Sequence, residues 1–429
     1  MILAAGFGRG LEPITHTRPK PLIPILDRTL IEYHLDNLTK VSTIKRVVVV
    51  ASYMMEKVRE KLKSVEDRYP FDIEVVDQGA PLGSGHALLK GLETVSRGDV
   101  LVIYVDSAYS VDDLKEIAES SHPYLVAGYR VGDSRDYGVL VTKSTGELEE
   151  VIEKPPQPAS NLVNAGIYRL AVDIATYLEK IELSPRGEYE LTDALRLLVR
   201  GGSTVRVREL TYWRDLGRSW RYLDFCKEIL YEKVKTTAIF GDIEESVRIR
   251  GPIYVGENAE ILSGTYVEGP VFIGKGARVG PNAYIRPGTI VMNEARIGFS
   301  VEVKESIVME GVHASHLSYI GDSIICEHSN LGAGTITANL RLDDREIKVA
   351  VKKVKVSTGR RKLGALVGGY VKTGVNVSIN PGVKIGAYSR VFPGLVLYED
   401  IPPCSVVKSD GTISTLPPSE CPISRETWL

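Results

Sequence analysis

Aliphatic residues recur at every sixth position over much of the C-terminal half of the chain. The series begins at Val255 and continues through ten successive positions to Met309. A second column, four positions further on, holds mostly small or β-branched residues, from Ala259 to Ile307. Helices have a period near 3.6 and single strands a period of 2, so neither explains a sustained register of six. The pattern predicts a left-handed parallel β-helix of hexapeptide repeats, with one repeat on each side of a three-sided coil.

The repeat is interrupted twice. After Met309 the register slips by four residues and resumes at Tyr319, which predicts a stretch of backbone expelled from the coil with His316 inside it. A longer, charged interruption follows over residues 337–364, and the repeat returns at Val367. Repeat proteins often carry function at such interruptions. A β-helix ends in open edges and has flat outer faces. Proteins that it resembles bury these by forming trimers, so we expect a homotrimer.

The N-terminal half alternates apolar runs with helical patterns, as in an α/β domain with a mainly parallel sheet. The runs are Lys45–Ala51, Val100–Asp106, Tyr124–Tyr129, Val139–Val141 and Ala165–Leu170. We therefore expect four parts: an α/β Rossmann-like domain over residues 1–225, a linker helix over 226–245, the β-helix over 246–400, and a C-terminal tail over 401–429.

Composition narrows the classes of partner. The formal net charge of −2 disfavours nucleic acid and anionic membranes. The chain has no apolar run long enough for a transmembrane helix and no room for a signal peptide at its start, so we expect a cytoplasmic protein without a membrane partner. Its four cysteines are widely spaced and are expected to be free thiols, with a Cys404–Cys421 pair as the less favoured alternative.

Two cations are predicted to stack on the coil. Lys304 follows Arg286 by one full coil of three repeats, so the two lie one above the other, about 4.8 Å apart along the axis. Such neighbours repel each other unless something compensates their charge. They are either splayed surface charges, neutralised for example by Glu268 one coil below, or an anion site, most simply for a phosphate. We favour the anion site, because both cations lie one coil from the register break.

The predicted strand ends of the N-terminal half carry a second set of candidates. The segment from Ala4 to Gly10 is a glycine-rich turn after the first apolar run, where backbone N–H groups can contact phosphates. Asp106 ends another run, and Asp215 has a similar setting. Two such carboxylates can share Mg²⁺ with a nucleotide. For Asp106 the alternative is an N-cap of the helix predicted over 111–119.

These motifs in combination resemble two enzyme families. The N-terminal half is similar to sugar-1-phosphate nucleotidylyltransferases in Leu3-Ala4-Ala5-Gly6-x-Gly8, Arg18-Pro19-Lys20-Pro21, Leu82–Ala87, Asp106, Glu153-Lys154-Pro155, Asn164–Tyr168 and Trp213-x-Asp215-x-Gly217. The C-terminal half resembles the acetyltransferase part of bifunctional N-acetylglucosamine-1-phosphate uridyltransferases of the archaeal type, in His316–Asp322, Asn330–Thr335, Asn339 and Arg360–Gly364.

For the N-terminal half the resemblance implies a nucleotide and sugar site. Lys20 would be the catalytic lysine at the phosphates, and Mg²⁺ would be held by Asp106 and Asp215. The nucleotide would be bound by Ala4, Ala5, Gly6, Gly8, Arg9, Gln78 and Gly83. The sugar would be held by Gly138, Glu153 and Asn164.

For the C-terminal half it implies an acetyl-transfer site. The attacking amine must be neutral, and His316 would be the general base, because the ordinary pKa of histidine lies near neutrality. Asn330 would support the transition state. The amino-sugar phosphate would be bound by Arg286, Lys304, Tyr319 and Asn339. CoA would be bound by Ala333, Arg361 and Lys362, although a solvated basic loop is nearly as good an explanation of the last two.

The function implied is bifunctional: acetylation of glucosamine-1-phosphate by acetyl-CoA, then transfer of UMP from UTP to the product, giving UDP-N-acetylglucosamine and pyrophosphate. The sequence does not rank UTP against dTTP. One alternative is a glucose-1-phosphate thymidylyl- or uridylyltransferase whose β-helix serves only oligomerisation. Another is a non-enzymatic regulatory subunit, which two departures from the family favour: Gly10 replaces an arginine, and Val105 replaces the glycine before the metal-binding aspartate.

Overall fold

The computed structural model describes residues 1–423, which form two compact units. The first unit contains Met1–Phe7, Pro19–Leu22 and Thr29–Leu216. The second contains Gly8–Arg18, Ile23–Arg28 and the chain from Gly217 onward. No helix in the described residues is long and apolar enough to cross a membrane.

The first unit is built on a nine-stranded sheet. Four parallel strands run in the order Asp72–Asp77, Arg46–Ala51, Ile2–Leu3, Asp99–Tyr104. The sheet continues with Leu162–Ala171, Gly138–Thr142 and Leu148–Glu153, and Tyr124–Arg130 and Arg206–Glu209 lie beside it. The α/β fold is confirmed, but the sheet is mixed rather than mainly parallel. The strand Leu162–Ala171 is antiparallel to its three neighbours. The strands Gly138–Thr142 and Leu148–Glu153 are also antiparallel, because the connection between them is too short for the crossover that parallel strands require.

Seven helices occur in the described chain, at Leu30–Leu38, Met55–Lys63, Ser84–Leu92, Val111–Ala118, Ala175–Leu178, Leu191–Arg200 and Ser219–Lys233. Apolar side chains three or four positions apart give most of them one buried face. In the helix Leu191–Arg200 this face consists of Leu191, Ala194, Leu195 and Leu198. Short 3-10 helices lie at Arg9–Leu11, Ile14–His16, Lys20–Leu22, Glu66–Arg68, Val172–Ile174 and Pro418–Glu420.

The second unit contains three sheets, here called faces 1, 2 and 3, which form a left-handed β-helix. Their strands are parallel apart from the last strand of face 2, Ile413–Thr415, which is antiparallel to Ser405–Val407. Face 1 consists of Ala238–Ile239, Ile253–Val255, Val271–Ile273, Thr289–Val291, Ile307–Val308, Ile324–Ile325, Leu366–Val367 and Lys384–Ile385. Face 2 consists of Asp242–Ile243, Glu260–Ile261, Arg278–Val279, Arg296–Phe299, His313–His316, Asn330–Leu331, Lys372–Thr373, Arg390–Val391, Ser405–Val407 and Ile413–Thr415. Face 3 consists of Arg248–Arg250, Tyr266–Glu268, Tyr284–Ile285, Glu302–Lys304, Tyr319–Gly321, Ile336–Thr337, Ser378–Ile379 and Val396–Leu397.

The sixth-position column fills the interior of the coil. From Val255 to Val303 each of its residues is fully buried, and together they form one continuous core. The second column lies at the corners and is also buried, with Ala259, Ala277 and Ala295 at 0% exposure. The hexapeptide prediction is therefore confirmed over these coils.

The predicted register break is wrong. Ile285 pairs with Val303, a full coil of three hexapeptides later, whereas Val303 pairs with Ile320, which comes one position short of a full coil. The corner between faces 3 and 1 is one residue shorter in these coils. Ser306 lies at this corner in one coil, and Ser323 lies there in the next. Each serine hydroxyl donates to the carbonyl of the second residue before it, at 2.6 and 2.7 Å. The coil therefore shortens without expelling backbone.

This shortening changes which residues face inward. Val308, not Met309, occupies the ladder position above Val291, and Ile320, not Tyr319, is the buried residue of its strand. His316 accordingly lies at the end of a regular strand rather than in an expelled loop.

The remaining boundaries differ in detail from those expected. The second interruption is confirmed, since Ile325 pairs directly with Val367, and it contains a hairpin of Lys348–Val351 and Val354–Ser357. The ladder begins at Ala238–Ile239, inside the segment expected to be a linker helix, and Ser405–Val407 extends it into the expected tail. Cys404 and Cys421 form a disulfide with a Cα–Cα distance of 5.6 Å, against our expectation, whereas Cys226 and Cys326 are free and buried.

Gly10 lies where no side chain fits. A Cβ atom at this position would be 2.1 Å from the carbonyl oxygen of Gly217 and 2.6 Å from Nη1 of Arg218. All three residues belong to the second unit. The glycine that departs from the family pattern is therefore required by packing.

We expect the change Gly10→Arg, which restores the family residue, to lower the free energy of unfolding by about 1–3 kcal/mol through overpacking. Chemical denaturation would measure it, with the exposed neighbour changed in Arg9→Ala as the control. An unchanged midpoint in Gly10→Arg would contradict this packing argument.

Candidate functional site

Asp106 and Asp215 lie close together in the first unit, Asp106 in the turn before one strand and Asp215 on the neighbouring strand. Ser107–Tyr109, which directly follows Asp106, is antiparallel to Trp213–Asp215, and Asp215 pairs with Ser107. Lys20 Nζ donates to Oδ2 of Asp106 at 2.6 Å. Three of the predicted residues, far apart in the sequence, are thus brought to one place.

Asp106 is not a helix cap. The helix Val111–Ala118 is capped by Ser110, whose hydroxyl accepts from the backbone N–H of Asp113. Burial acts to raise the pKa of the Asp106 carboxyl, but the ammonium of Lys20 outweighs it and the pKa is lowered. The side chain is therefore an anion at neutral pH.

Whether a divalent cation fits this site depends on the two carboxylates, Asp106 and Asp215. Among residues 1–423 no group of three or more His, Cys, Asp or Glu side chains could hold a metal. Mg²⁺, however, is commonly bound by one or two carboxylates together with water and substrate phosphates. Asp106 and Asp215 suit that mode and would not suit a site made of protein ligands alone.

Gln78 and Gly83, predicted to contact the base, are in contact with each other. Gln78 follows the strand Asp72–Asp77, is 3% exposed, and donates from Nε2 to the carbonyl of Gly83 at 3.0 Å. Gly83 has a φ of 110°, and a Cβ there would be 2.7 Å from the carbonyl oxygen of Tyr189. His86 Nδ1 lies 3.1 Å from the same Gln78 amide, so the histidine orients Gln78.

Gly138, Glu153 and Asn164, predicted to hold the sugar, also converge. A Cβ at Gly138 would be 2.9 Å from Oε2 of Glu153 and 3.6 Å from Cβ of Asn164. Arg186 donates to Oε1 of Glu153 at 3.1 Å, and the amide of Asn164 donates to the hydroxyl of Tyr168 at 2.7 Å. No motif of the resemblance includes Arg186, although it contacts Glu153.

The glycine-rich segment begins where the first strand ends. Ala4 and Ala5 are buried, and the N–H of Ala4 still donates to the carbonyl of Val50 at 2.8 Å. Gly6 is exposed, and Gly8 has a φ of 71°. Arg9 is exposed at the start of the 3-10 helix Arg9–Leu11.

Val105, the second departure, is 1% exposed, so its side chain is packed inside the unit. Its carbonyl lies 2.8 Å from Nε2 of the buried His34. The valine that replaces the family's glycine therefore points its branched side chain into the interior and not onto the surface beside Asp106.

In the second unit, each of the two stacked cations has a carboxylate partner. Arg286 Nη1 donates to Oε1 of Glu302 at 2.8 Å, and Lys304 Nζ donates to Oδ2 of Asp322 at 3.1 Å. Glu268, the partner considered from the sequence, instead accepts from the hydroxyl of Tyr284. The repulsion within the pair is thus compensated from later coils.

Asp322 is the centre of this cluster. Besides Lys304, it accepts from Nδ2 of Asn339 at 2.5 Å, and Nη2 of Arg360 lies 3.8 Å from its other oxygen. Asn339 also donates to the hydroxyl of Tyr319 at 3.2 Å, and burial, followed by the charge of Asp322, raises the pKa of that phenol. Sequence reasoning assigned Asp322 no role, although it follows Lys304 at the same spacing at which Lys304 follows Arg286.

His316 is exposed at the end of a face 2 strand, in register with Phe299. Its carbonyl accepts from the N–H of Gly334 at 3.3 Å, which places Ala333 in the adjacent coil. A single corner then leads from His316 to Tyr319. Asn330 is exposed earlier in the same face, in register with His313 rather than with His316.

Arg361 and Lys362 lie where the second interruption returns to the coil. Arg361 is exposed and its Nη2 lies 3.4 Å from Oδ1 of Asp344. Lys362 bridges to Leu340 through the backbone. Arg360, between the interruption and the helix Ser219–Lys233, donates to Asp224 at 2.9 Å. A role for Arg361 and Lys362 in binding CoA stays a prediction.

Residues 1–232, more than half of the chain, match the Nucleotidyl transferase family model, and residues 267–360 match the GMPPB C-terminal domain. The chain is 47% identical over 403 residues to a bifunctional sugar-1-phosphate nucleotidylyltransferase/acetyltransferase of Sulfurisphaera tokodaii, which covers 93% of this chain and 97% of the relative. It is 39% identical over 401 residues to the bifunctional protein GlmU of Methanocaldococcus jannaschii, covering 94% and 95%.

The expected resemblance is thereby confirmed, and a non-enzymatic subunit is not the interpretation that these relatives favour. The chain belongs to the family of bifunctional sugar-1-phosphate nucleotidylyltransferase/acetyltransferases.

Proposed function

We propose that this enzyme acetylates glucosamine-1-phosphate with acetyl-CoA and then transfers UMP from UTP to N-acetylglucosamine-1-phosphate, releasing UDP-N-acetylglucosamine and pyrophosphate. The observation that carries the proposal is the cluster of Lys304, Tyr319 and Asn339 around Asp322, one corner away from His316. A β-helix that served only oligomerisation would need no such cluster.

In acetyl transfer His316 removes a proton from the ammonium group of the amino sugar. The freed amine attacks the thioester carbonyl, and the C–S bond breaks. The acetyl group is then bonded to nitrogen as an amide, and the proton that nitrogen loses goes to the CoA thiolate, which leaves as free CoA. Arg286 and Lys304 supply the positive charge for the sugar phosphate, and Arg360 adds a third cation beside Asp322. Asn330 and Asn339 offer amide donors for the developing oxyanion and the substrate. The sugar phosphate binds these cations either in place of their carboxylate partners or alongside them.

In nucleotidyl transfer an oxygen of the sugar-1-phosphate attacks the α-phosphorus of UTP, and pyrophosphate leaves. Both reactants are anions, so catalysis consists mainly of alignment and charge neutralisation. Lys20 supplies a cation at the phosphates, Gln78 and Gly83 bind the base, and Gly138, Glu153 and Asn164 hold the sugar. Mg²⁺ bound by Asp106 and Asp215 would neutralise phosphate charge.

We further propose that the protein is a homotrimer. Large apolar side chains are exposed along the corner between faces 2 and 3, at Phe299, Leu317, Val375 and Phe392. His316 lies at the same corner. Exposed apolar side chains that recur along one corner mark an interaction surface.

We expect Asp106→Asn to lower kcat for pyrophosphate release from UTP and N-acetylglucosamine-1-phosphate at least about a hundredfold, because the developing phosphate charge loses its counter-ion site. A coupled phosphate assay with Mg²⁺ measures it. The control is Asp112→Asn, whose carboxylate is exposed in the following helix. Equal rates for both variants would contradict the site.

We expect His316→Ala to lower CoA release with glucosamine-1-phosphate about 10²–10⁴-fold, the usual contribution of a general base. A thiol reagent follows CoA. His328→Ala removes another exposed histidine of the coil and should leave the rate unchanged. If His316→Ala keeps the wild-type rate, acetyl transfer does not use this base.

We expect Leu317→Asp to convert trimers into monomers, because a charge would be buried at the contact. Light scattering after size exclusion measures the mass. Asn293→Asp places the same charge at another exposed corner and should remain trimeric. Monomeric wild type, or a trimeric Leu317→Asp variant, would contradict the proposed contact.

A further inference from the structure

Arg18 lies between two glutamates of the β-helix, Glu310 and Glu327, with most of its side chain shielded from solvent. Its Nη2 donates to Oε1 of Glu310 at 2.6 Å and lies 2.7 Å from Oε2 of Glu327. The side chain of Arg18 is 13% exposed and that of Glu327 is 6% exposed. None of these three side chains takes part in either of the two proposed reactions.

The segment before Lys20 is held in the second unit at several further points. The N–H of Ala387 donates to Nδ1 of the buried His16 at 3.3 Å, and the hydroxyl of Ser219 donates to the carbonyl of Glu12 at 3.2 Å. Residues 8–18 thus belong to the β-helix unit although they precede most of the α/β unit in the chain. Arg18 is the last residue of that segment.

Lys20 follows Arg18 by two residues but belongs to the first unit, where it pairs with Asp106. Two residues span at most about 7.6 Å between Cα atoms. Pro19 and Pro21 fix φ on both sides of Lys20. The N–H of Leu22 donates to the carbonyl of Pro19 at 2.9 Å and closes the turn. This link is too short and too stiff to absorb a displacement of Arg18.

Arg18 faces two carboxylates, of which Glu310 is half-exposed and Glu327 is 6% exposed. Loss of Arg18 leaves the Glu327 carboxylate without its cation, and loss of the Glu327 carboxylate leaves Arg18 without its less exposed partner, so in both variants the remaining side chain moves or recruits water. Because the link is stiff, such a movement reaches Lys20. We infer that Arg18 is a positioning residue for nucleotidyl transfer, and that Glu310 and Glu327, on successive coils of the β-helix that carries the proposed acetyl-transfer site, are needed for the chemistry of the other half. The inference rests on the proposed function of Lys20 alone.

The test measures both activities of the full-length enzyme in Arg18→Met, Glu327→Gln and the double variant. We expect each single change to lower kcat for pyrophosphate release about tenfold, with a smaller effect on KM for UTP. CoA release should stay at the wild-type rate. The double variant should be no slower than either single one, because the same ion pair is lost once. Arg18→Lys keeps the charge and should recover part of the loss.

The matched control is Arg278→Met, which removes an exposed ion pair elsewhere on the β-helix, between Arg278 and Glu260. It should leave both activities unchanged. Wild-type kcat for nucleotidyl transfer in Glu327→Gln would overturn the inference, and so would a loss of both activities together, which indicates a purely structural role. Absence of pyrophosphate release by the wild type with either UTP or dTTP would instead contradict the proposed function, and the inference with it.

Discussion

Each coil of the second unit must bury one aliphatic side chain at every repeat, and the rest of the structure depends on that constraint. Inward positions from Val255 to Val303 are fully buried, so the polar residues between them are held on the outside at fixed heights. Residues one coil apart lie about 4.8 Å apart whatever their chemistry. A site built on such a frame needs few further contacts to be preorganised, since the ladder has already fixed the backbone.

The second common feature is the pairing with carboxylates of the cations that we propose to bind phosphate. Lys20 contacts Asp106, Arg286 contacts Glu302, and Lys304 contacts Asp322. In each case the cation keeps its orientation through an acidic partner on a neighbouring strand or coil. An incoming phosphate can then bind the cation, either in place of the carboxylate or beside it. Arg18, in the segment that precedes Lys20, is likewise paired with carboxylates, those of Glu310 and Glu327 in the second unit.

The sequence predicted the coil because its interior repeats so regularly, and it predicted the convergence of Gly138, Glu153 and Asn164 through the resemblance. It failed at the shortened coils, because a corner closed by a serine hydroxyl looks like a register slip when only aliphatic positions are counted. It also offered no reason for Gly10, whose close approach to Gly217 joins positions that are far apart in the chain. Pairings such as Arg18 with Glu327 depend on three-dimensional packing, and no periodicity in the chain indicates them.

The central claim is that one chain carries both reactions in sequence. The most direct measurement is to incubate the wild-type enzyme with glucosamine-1-phosphate, acetyl-CoA, UTP and Mg²⁺ and to identify the nucleotide sugar by mass spectrometry. We predict UDP-N-acetylglucosamine, and none when acetyl-CoA is omitted. No acetyl transfer in this mixture, with a nucleotide sugar formed only in a parallel incubation that contains glucose-1-phosphate, would contradict the claim and leave the β-helix as a scaffold.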